Sequence, residues 1–190
     1  VQKRIFDDLH EVVELGKICA GLHNVWRFYA NSLPAFYYTN FAQRSFFNPD
    51  QRKFYAEKAI EHAAESLKTS SFPPYIAWPY QFLTWSHSQL ATLATAKDER
   101  EEHVQKMLQY AKEAERVAEK FEGGFPRAAG YSSLYRAYKT LADISDKEED
   151  RVKMLTAATD AQKKYIGHAV ESRTGIIAAQ MRLGLLYEEL

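Results

Sequence analysis

Hydrophobic and aromatic positions along this chain recur at helical spacing, and one stretch sets the pattern for the rest. In Tyr131-Ser-Ser-Leu-Tyr-Arg-Ala-Tyr-Lys-Thr-Leu141, the residues Tyr131, Leu134, Tyr138 and Leu141 fall at i, i+3, i+7 and i+10, one face of an α-helix. Upstream, Tyr80, Leu83, His87 and Leu90 share that spacing, and downstream Gln180, Leu183, Tyr187 and Leu190 share it again. The copies are offset by 51 residues (80 to 131) and 49 residues (131 to 180), which predicts a helical repeat. Residues 3–22 read as an amphipathic helix with Ile5, Leu9, Val12, Val13, Leu15, Ile18 and Leu22 on one face. Further helices are predicted from Asn48 to about Leu67 and over 75–95, 99–121, 127–144, 146–170 and 173–190.

Between residues 24 and 47 lies an aromatic block that includes Trp26, Phe28, Tyr29, Phe36, Tyr37, Tyr38, Phe41, Phe46 and Phe47. Pro34 either ends one helix and begins another there or kinks a single long one. The block reads first as core where the first helices meet, and second as the lining of an aromatic pocket.

Helix starts repeat as well. Asn48-Pro-Asp-Gln51 carries a capping Asn, a Pro at the first helical position and a Gln that closes a capping box. Asp98 with Glu101 and Ser145 with Glu148 predict two more boxes, 50 and 47 residues further along in turn. The second helix of each pair carries closely spaced small residues: Ala56, Ala59, Ala63 and Ala64; Ala111, Ala114 and Ala118; Ala157, Ala158 and Ala161. Small side chains let helix axes approach, so these stripes predict the seams. Gly123-Gly124 is placed as a C-terminal stop.

These residues resemble the tetratricopeptide repeat. Leu183-Gly-Leu-Leu-Tyr187 is similar to that family's Leu-Gly, two residues, Tyr element, and Tyr131, Leu134 and Tyr138 supply the aromatic, Leu and Tyr, with Tyr135 where Gly is usual. Ala114 and Pro126 are similar to the Ala and terminal Pro of its second helix. The departures are Gln180 for the large aromatic, His87 for Tyr, and a period of about 50 residues against about 34 in the family, so the helices are expected to be longer. The resemblance covers about residues 50–190. It implies an all-α fold of seven or eight helices, antiparallel pairs stacked as a right-handed superhelix. The expected organisation is a single helical domain over 1–190, with an aromatic-rich part over 1–47 and repeat pairs over 48–190.

The resemblance also implies a concave groove lined by first helices. Carried across residue by residue, its groove positions are Trp78, Gln81, Trp85, Ser88 and Gln89, then Ala129, Ser132, Arg136, Lys139 and Thr140, then Ala178, Met181, Leu185, Glu188 and Glu189. Trp78, Gln81, Trp85, Arg136 and Lys139 are the expected contacts with a partner protein or peptide. A basic and aromatic groove suits an acidic or C-terminal carboxylate peptide, with Arg136 as the bidentate cation. The plainer alternative makes both Trp residues core and both cations solvent-facing. A reading from another class is a small-molecule or nucleic-acid sensing domain of a larger regulator, built on Tyr37 and Phe41.

Composition narrows the field. The chain has 190 residues, 46% of them hydrophobic, enough for a sizeable core. Lys plus Arg and Asp plus Glu are both 25, so no overall charge draws it to nucleic acid or an anionic membrane. One cysteine, Cys19, allows no internal disulfide and fits a cytoplasmic setting. No apolar run reaches the roughly 18 residues of a membrane helix, and no signal peptide is read at Val1-Gln-Lys-Arg. From Val1 to Leu190, the last position of a repeat pattern, the chain reads as a segment cut at both ends. Its last helix is then expected to continue into a missing partner helix or to make a homo-oligomer contact.

Candidate chemistry is thin. Asp7 and His10 share a helical face, but no Glu-x-x-His occurs in the sequence, and a di-metal carboxylate bundle needs two. His10-Glu-Val-Val-Glu14 lacks the second His of a zinc-protease helix. The six His residues are scattered, and His87 occupies a packing position, where it reads as core before it reads as a base or ligand. No Gly-x-Ser-x-Gly motif occurs, Cys19 has apolar neighbours, and Gly123, Gly124 and Gly130 lack phosphate-loop spacing. Lys97-Asp-Glu-Arg-Glu-Glu102 reads as a charged first helical turn. Neither catalytic residues, nor a metal site, nor a cofactor is expected, and the chain is read as a binding module.

Overall fold

A proline or a cluster of acids opens each second helix, and a small-residue stripe glues it to its neighbours. In the computed structural model, which describes residues 24–69, 73–121, 124–168 and 173–190 with Glu11 and Glu14 as isolated positions, the protein forms seven helices. They are α1 (Asn24–Ala42), α2 (Pro49–Thr69), α3 (Ala77–Leu93), α4 (Lys97–Lys120), α5 (Gly124–Asp143), α6 (Glu148–His168) and α7 (Arg173–Glu189). A 3-10 turn over Pro73–Ile76 leads into α3. The helix expected over 3–22, with Asp7, His10 and Cys19, lies outside the described residues, as does the side chain of Trp26. No helix among the described residues is long and apolar enough to cross a membrane.

The chain is an all-α stack of consecutive helices. Each helix packs on its chain neighbours, and α3 also meets α1 on one side and α5 on the other. The first-of-pair helices α1, α3 and α5 therefore lie side by side, an arrangement compatible with a helical repeat. Equivalent residues keep equivalent company: Tyr80 faces the Tyr110 ring of α4 at 6.3 Å, and Tyr131 faces the His168 ring of α6 at 5.5 Å. The third copy differs, because Gln180 and Tyr187 of α7 and Leu190 just after it are exposed. Leu186 and a hydrogen bond from Gln162 Nε2 to Ala179 O at 3.0 Å hold α7 to the stack instead.

Helix starts recur at Pro49, Lys97 and Glu148, 48 and 51 residues apart. Only the first uses the expected capping box. There Gln51 N donates to Asn48 Oδ1 at 2.9 Å and Asn48 N donates to Gln51 Oε1 at 3.2 Å. The other two boxes do not form. The cap before α4 is Ala96, with no side-chain cap, so Asp98 sits inside the first turn beside Glu99, where the positive end of the helix dipole favours both. Ser145 Oγ donates to Lys147 O at 3.2 Å, outside α6, whose first turn holds Glu148, Glu149 and Asp150. Gly124, expected in a stop, begins α5.

Pro34 neither divides α1 nor sits at its edge: the helix runs through it, and Pro34 and Ala35 are both buried. The aromatic block splits accordingly. Phe28 and Phe47 are buried, Phe41 and Phe47 pack edge-on to the buried Tyr55 ring at 5.6 and 4.9 Å, and Phe36, Tyr37 and Phe46 reach the surface.

The small-residue stripes are the seams. Ala56, Ala59, Ala63, Ala111, Ala114, Ala118 and Ala158 are essentially without exposed surface. The approach between α4 and α5 is close, since a Cβ on Gly130 would lie 2.6 Å from Ala118 Cβ and 2.8 Å from Ala114 O. Helix propensity alone would credit Gly130→Ala with about 1 kcal/mol, whereas overpacking costs about 1–3 kcal/mol. A net loss of stability is therefore expected, seen in thermal melts as a Tm lower by a few degrees, at roughly 2–4 °C per kcal/mol for a chain of this size. An equal or higher Tm would mean that the seam opens freely.

Candidate functional site

The groove residues expected from the sequence are carried by α3, α5 and α7. Trp78, Gln81 and Trp85 recur on one face of α3 at i, i+3 and i+7, and all three line a single groove of about 200 Å³. The rest of its wall is Phe36, Thr39 and Asn40 of α1 and Phe82 of α3. Trp78 and Trp85 are half-buried, neither sealed in the seams nor free of them. Trp78 packs against Tyr75 and Phe82 at ring separations of 6.4 and 6.3 Å. Gln81 makes no side-chain hydrogen bond among the described residues and is half-exposed at the groove.

Arg136 of α5 joins this group through Trp85. Its guanidinium carbon lies 4.9 Å from the centre of the Trp85 ring, a cation–π contact, and its Nη2 donates to Gln43 Oε1 at 2.6 Å. Gln43 follows α1 and is oriented by its own bond from Nε2 to Thr39 O at 3.1 Å. Burial, with the charge of Arg182 on α7 as a smaller contribution, lowers the Arg136 pKa from its ordinary value. Lys139 is set apart. It pairs with Asp143 one turn on and with Glu189 of α7 at 3.1 Å. Burial disfavours its charge, but those two carboxylates outweigh burial and raise its pKa.

Several positions that the family likeness assigns to the groove are sealed. Ser88 bonds Thr140 at 2.7 Å between α3 and α5, and Thr140 Oγ1 in turn donates to Arg136 O at 2.9 Å. Gln89, with its oxygen turned toward Arg52, accepts from Arg52 Nη2 at 2.7 Å and donates to Ala42 O at 3.3 Å. Ala129 and Ser132 are buried as well. Met181 and Leu185 are exposed on α7, and the side chain of Ala178 lies outside the described residues. Tyr37 and Phe41 do not share a pocket: Tyr37 is 42% exposed, and Phe41 packs into the cluster around Tyr55.

The wall that sequence reasoning missed is Thr39 and Asn40, together with the groove role of Phe36. On an unbroken α1 the residues 36 and 40 share one face. The uncertainty at Pro34 hid that register. Comparisons with family models, with characterised proteins and with solved structures found no match.

His87 lies on the other side of α3. Its Nδ1 is 3.1 Å from His103 Nδ1 on α4, and its ring stacks on Tyr110 at 5.6 Å. One imidazole must donate and the other accept, so the accepting ring is neutral. No group of three or more metal-ligating side chains exists among the described residues. Burial, then the charges of His103 and Lys106, drives the His87 pKa down from 6.5 to about 3. The unfolded chain takes a proton near pH 6.5 that the folded chain refuses until about 3. The stabilisation is thus complete above pH 6.5 and is lost as pH falls toward 3, at about 1.4 kcal/mol per pH unit. Urea denaturation should lose about 2 kcal/mol from this source between pH 6.5 and 5, and His87→Phe should flatten that slope. An unchanged slope in the variant would place the titration elsewhere.

Proposed function

We propose that the protein is an interaction module that holds a peptide or helix of a partner protein in the groove between α1 and α3. The observation that carries this reading is the convergence of Trp78, Gln81 and Trp85 with Phe36, Asn40 and Phe82 on one groove. Aromatic anchors flanked by side-chain amides suit a peptide, because the rings take its apolar side chains while amide groups pair with its backbone. Size supports a peptide over a whole small molecule: about 200 Å³ accommodates one anchoring side chain, whereas small-molecule pockets run to about 300–1,000 Å³. The likeness to tetratricopeptide repeats supports it from another direction, since first helices lie side by side and their exposed positions face a partner. On this reading the protein is a tetratricopeptide-like scaffold working in the cytoplasm, with no chemistry of its own.

Selection from a displayed library of random 10-residue peptides tests the proposal. Enriched peptides should lose at least about tenfold in affinity on Trp85→Ala, as expected for an interface anchor. They should lose as much on Asn40→Trp, which fills the groove from a half-exposed helical position and leaves the core intact. Peptides that bind both variants as tightly as the parent protein would refute a groove site.

A further inference from the structure

Arg182 of α7 is a cation held between aromatic rings with no acceptor for its donors. Its guanidinium carbon lies 5.6 Å from the centre of the Tyr135 ring on α5 and 6.0 Å from that of Tyr165 on α6. Among the described residues it takes part in no hydrogen bond and no ion pair, and its Nε is enclosed. Ring faces attract a guanidinium, but they do not take its N–H groups as oxygen lone pairs do. A second guanidinium lies close by on α5. Arg136 Nε is likewise enclosed without an acceptor, and the only hydrogen bond of that side chain among the described residues goes to the neutral Gln43 Oε1 at 2.6 Å. Burial lowers the Arg136 pKa and the charge of Arg182 lowers it further, so the two cations are near enough to repel. Asp143 and Glu189, the acids at this end of α5 and α7, are both bound to Lys139. Enclosed donors ordinarily find partners, and enclosed charges find counter-charges. Two repelling guanidiniums with two enclosed, unsatisfied Nε donors therefore leave a place for a small anion where α5, α6 and α7 meet.

We propose that Arg182, with Arg136 as the second charge, binds a phosphate group at the junction of α5, α6 and α7, and that this anion fastens α7 to the stack. Phosphate fits because its oxygens point in four directions and serve two guanidiniums at once, each through a charge-assisted fork. It also cancels the repulsion between the two cations. The phosphate is either the free inorganic ion or the headgroup of a small phosphomonoester. Arg182, Tyr135 and Tyr165 are not among the residues that line the groove between α1 and α3, so the site stands apart from the groove reading and needs no peptide. Its effect falls on α7, which is otherwise held by Leu186, by the bond from Gln162 to Ala179 and by the pair of Lys139 with Glu189. Phosphate supply then sets how firmly that helix stays docked.

Thermal melts of the full chain at fixed ionic strength test the site, with inorganic phosphate or glycerol 3-phosphate replacing chloride. At least one of the two should raise the Tm by about 3–6 °C at ten times its Kd. A response to inorganic phosphate identifies the free ion, and a response to the ester alone identifies a headgroup. Arg182→Met keeps a long side chain against Tyr135 and Tyr165 without the charge. It should melt no lower than the parent in chloride, and phosphate should leave its Tm unchanged. Arg182→Lys keeps the charge but loses the fork and Nε, so it should bind at least tenfold more weakly. Bound phosphate should also slow amide hydrogen exchange in α7 of the parent more than in α2. The proposal is overturned if neither phosphate compound lifts the parent Tm above the chloride control. It is overturned equally if Arg182→Met and Arg182→Lys respond as strongly as the parent, which is the result expected of diffuse binding to surface lysines.

Discussion

Close approach of helix axes is the constraint on which everything else in this structure rests. Where Ala114 and Ala118 of α4 meet Gly130 of α5, there is no space for one more methyl group, and the same economy recurs at Ala56, Ala59 and Ala63 of α2. Thin seams bring each second helix so near its neighbours that large side chains are left to fill the remaining faces. Leu83, Leu134, Met107 and Leu155 do so, all of them buried. Because the second helices lie close, successive first helices can touch one another, and α3 reaches both α1 and α5.

The helix seams around α1, α3 and α5 carry buried hydroxyl pairs. Ser32 with Ser66, Thr39 with Ser86, and Ser88 with Thr140 bridge helices at 2.6, 3.4 and 2.7 Å. Hydroxyls of this size keep the axes close, as alanine does, and they add direction. A hydrogen bond across a seam is satisfied at one register and lost at the next turn, so these pairs fix how far one helix slides along another. The His87–His103 pair serves the same end between α3 and α4, at the cost of excluding a proton.

Much of this was legible in the residues, and the omissions have physical causes. Tyr80 and Tyr131 were matched by spacing, and both meet an aromatic ring from the following helix. The helix starts were found from Asn48 and the acid clusters, but the capping boxes at Asp98 and Ser145 failed because first-turn acids stabilise a helix end without a side-chain cap. One residue's shift in the start is enough to move a candidate cap inside or outside. Trp78, Gln81 and Trp85 were legible as a trio because one helix carries all three. The opposing wall was not, since Pro34 left the continuity of α1 open and with it the shared face of Phe36 and Asn40. Lys139 was assigned to the groove with an acid four residues on, Asp143, already in the sequence as its partner.

The bond from Arg136 to Gln43 joins residues 93 positions apart and spans α3 to tie α5 to the end of α1. Such a strut limits how far the row of first helices can bend or straighten. A spring-like array with one polar cross-tie has its curvature set by that tie. The acceptor of the guanidinium therefore also bears on the bend of that row, so one side-chain pair and the shape of the stack are mechanically linked.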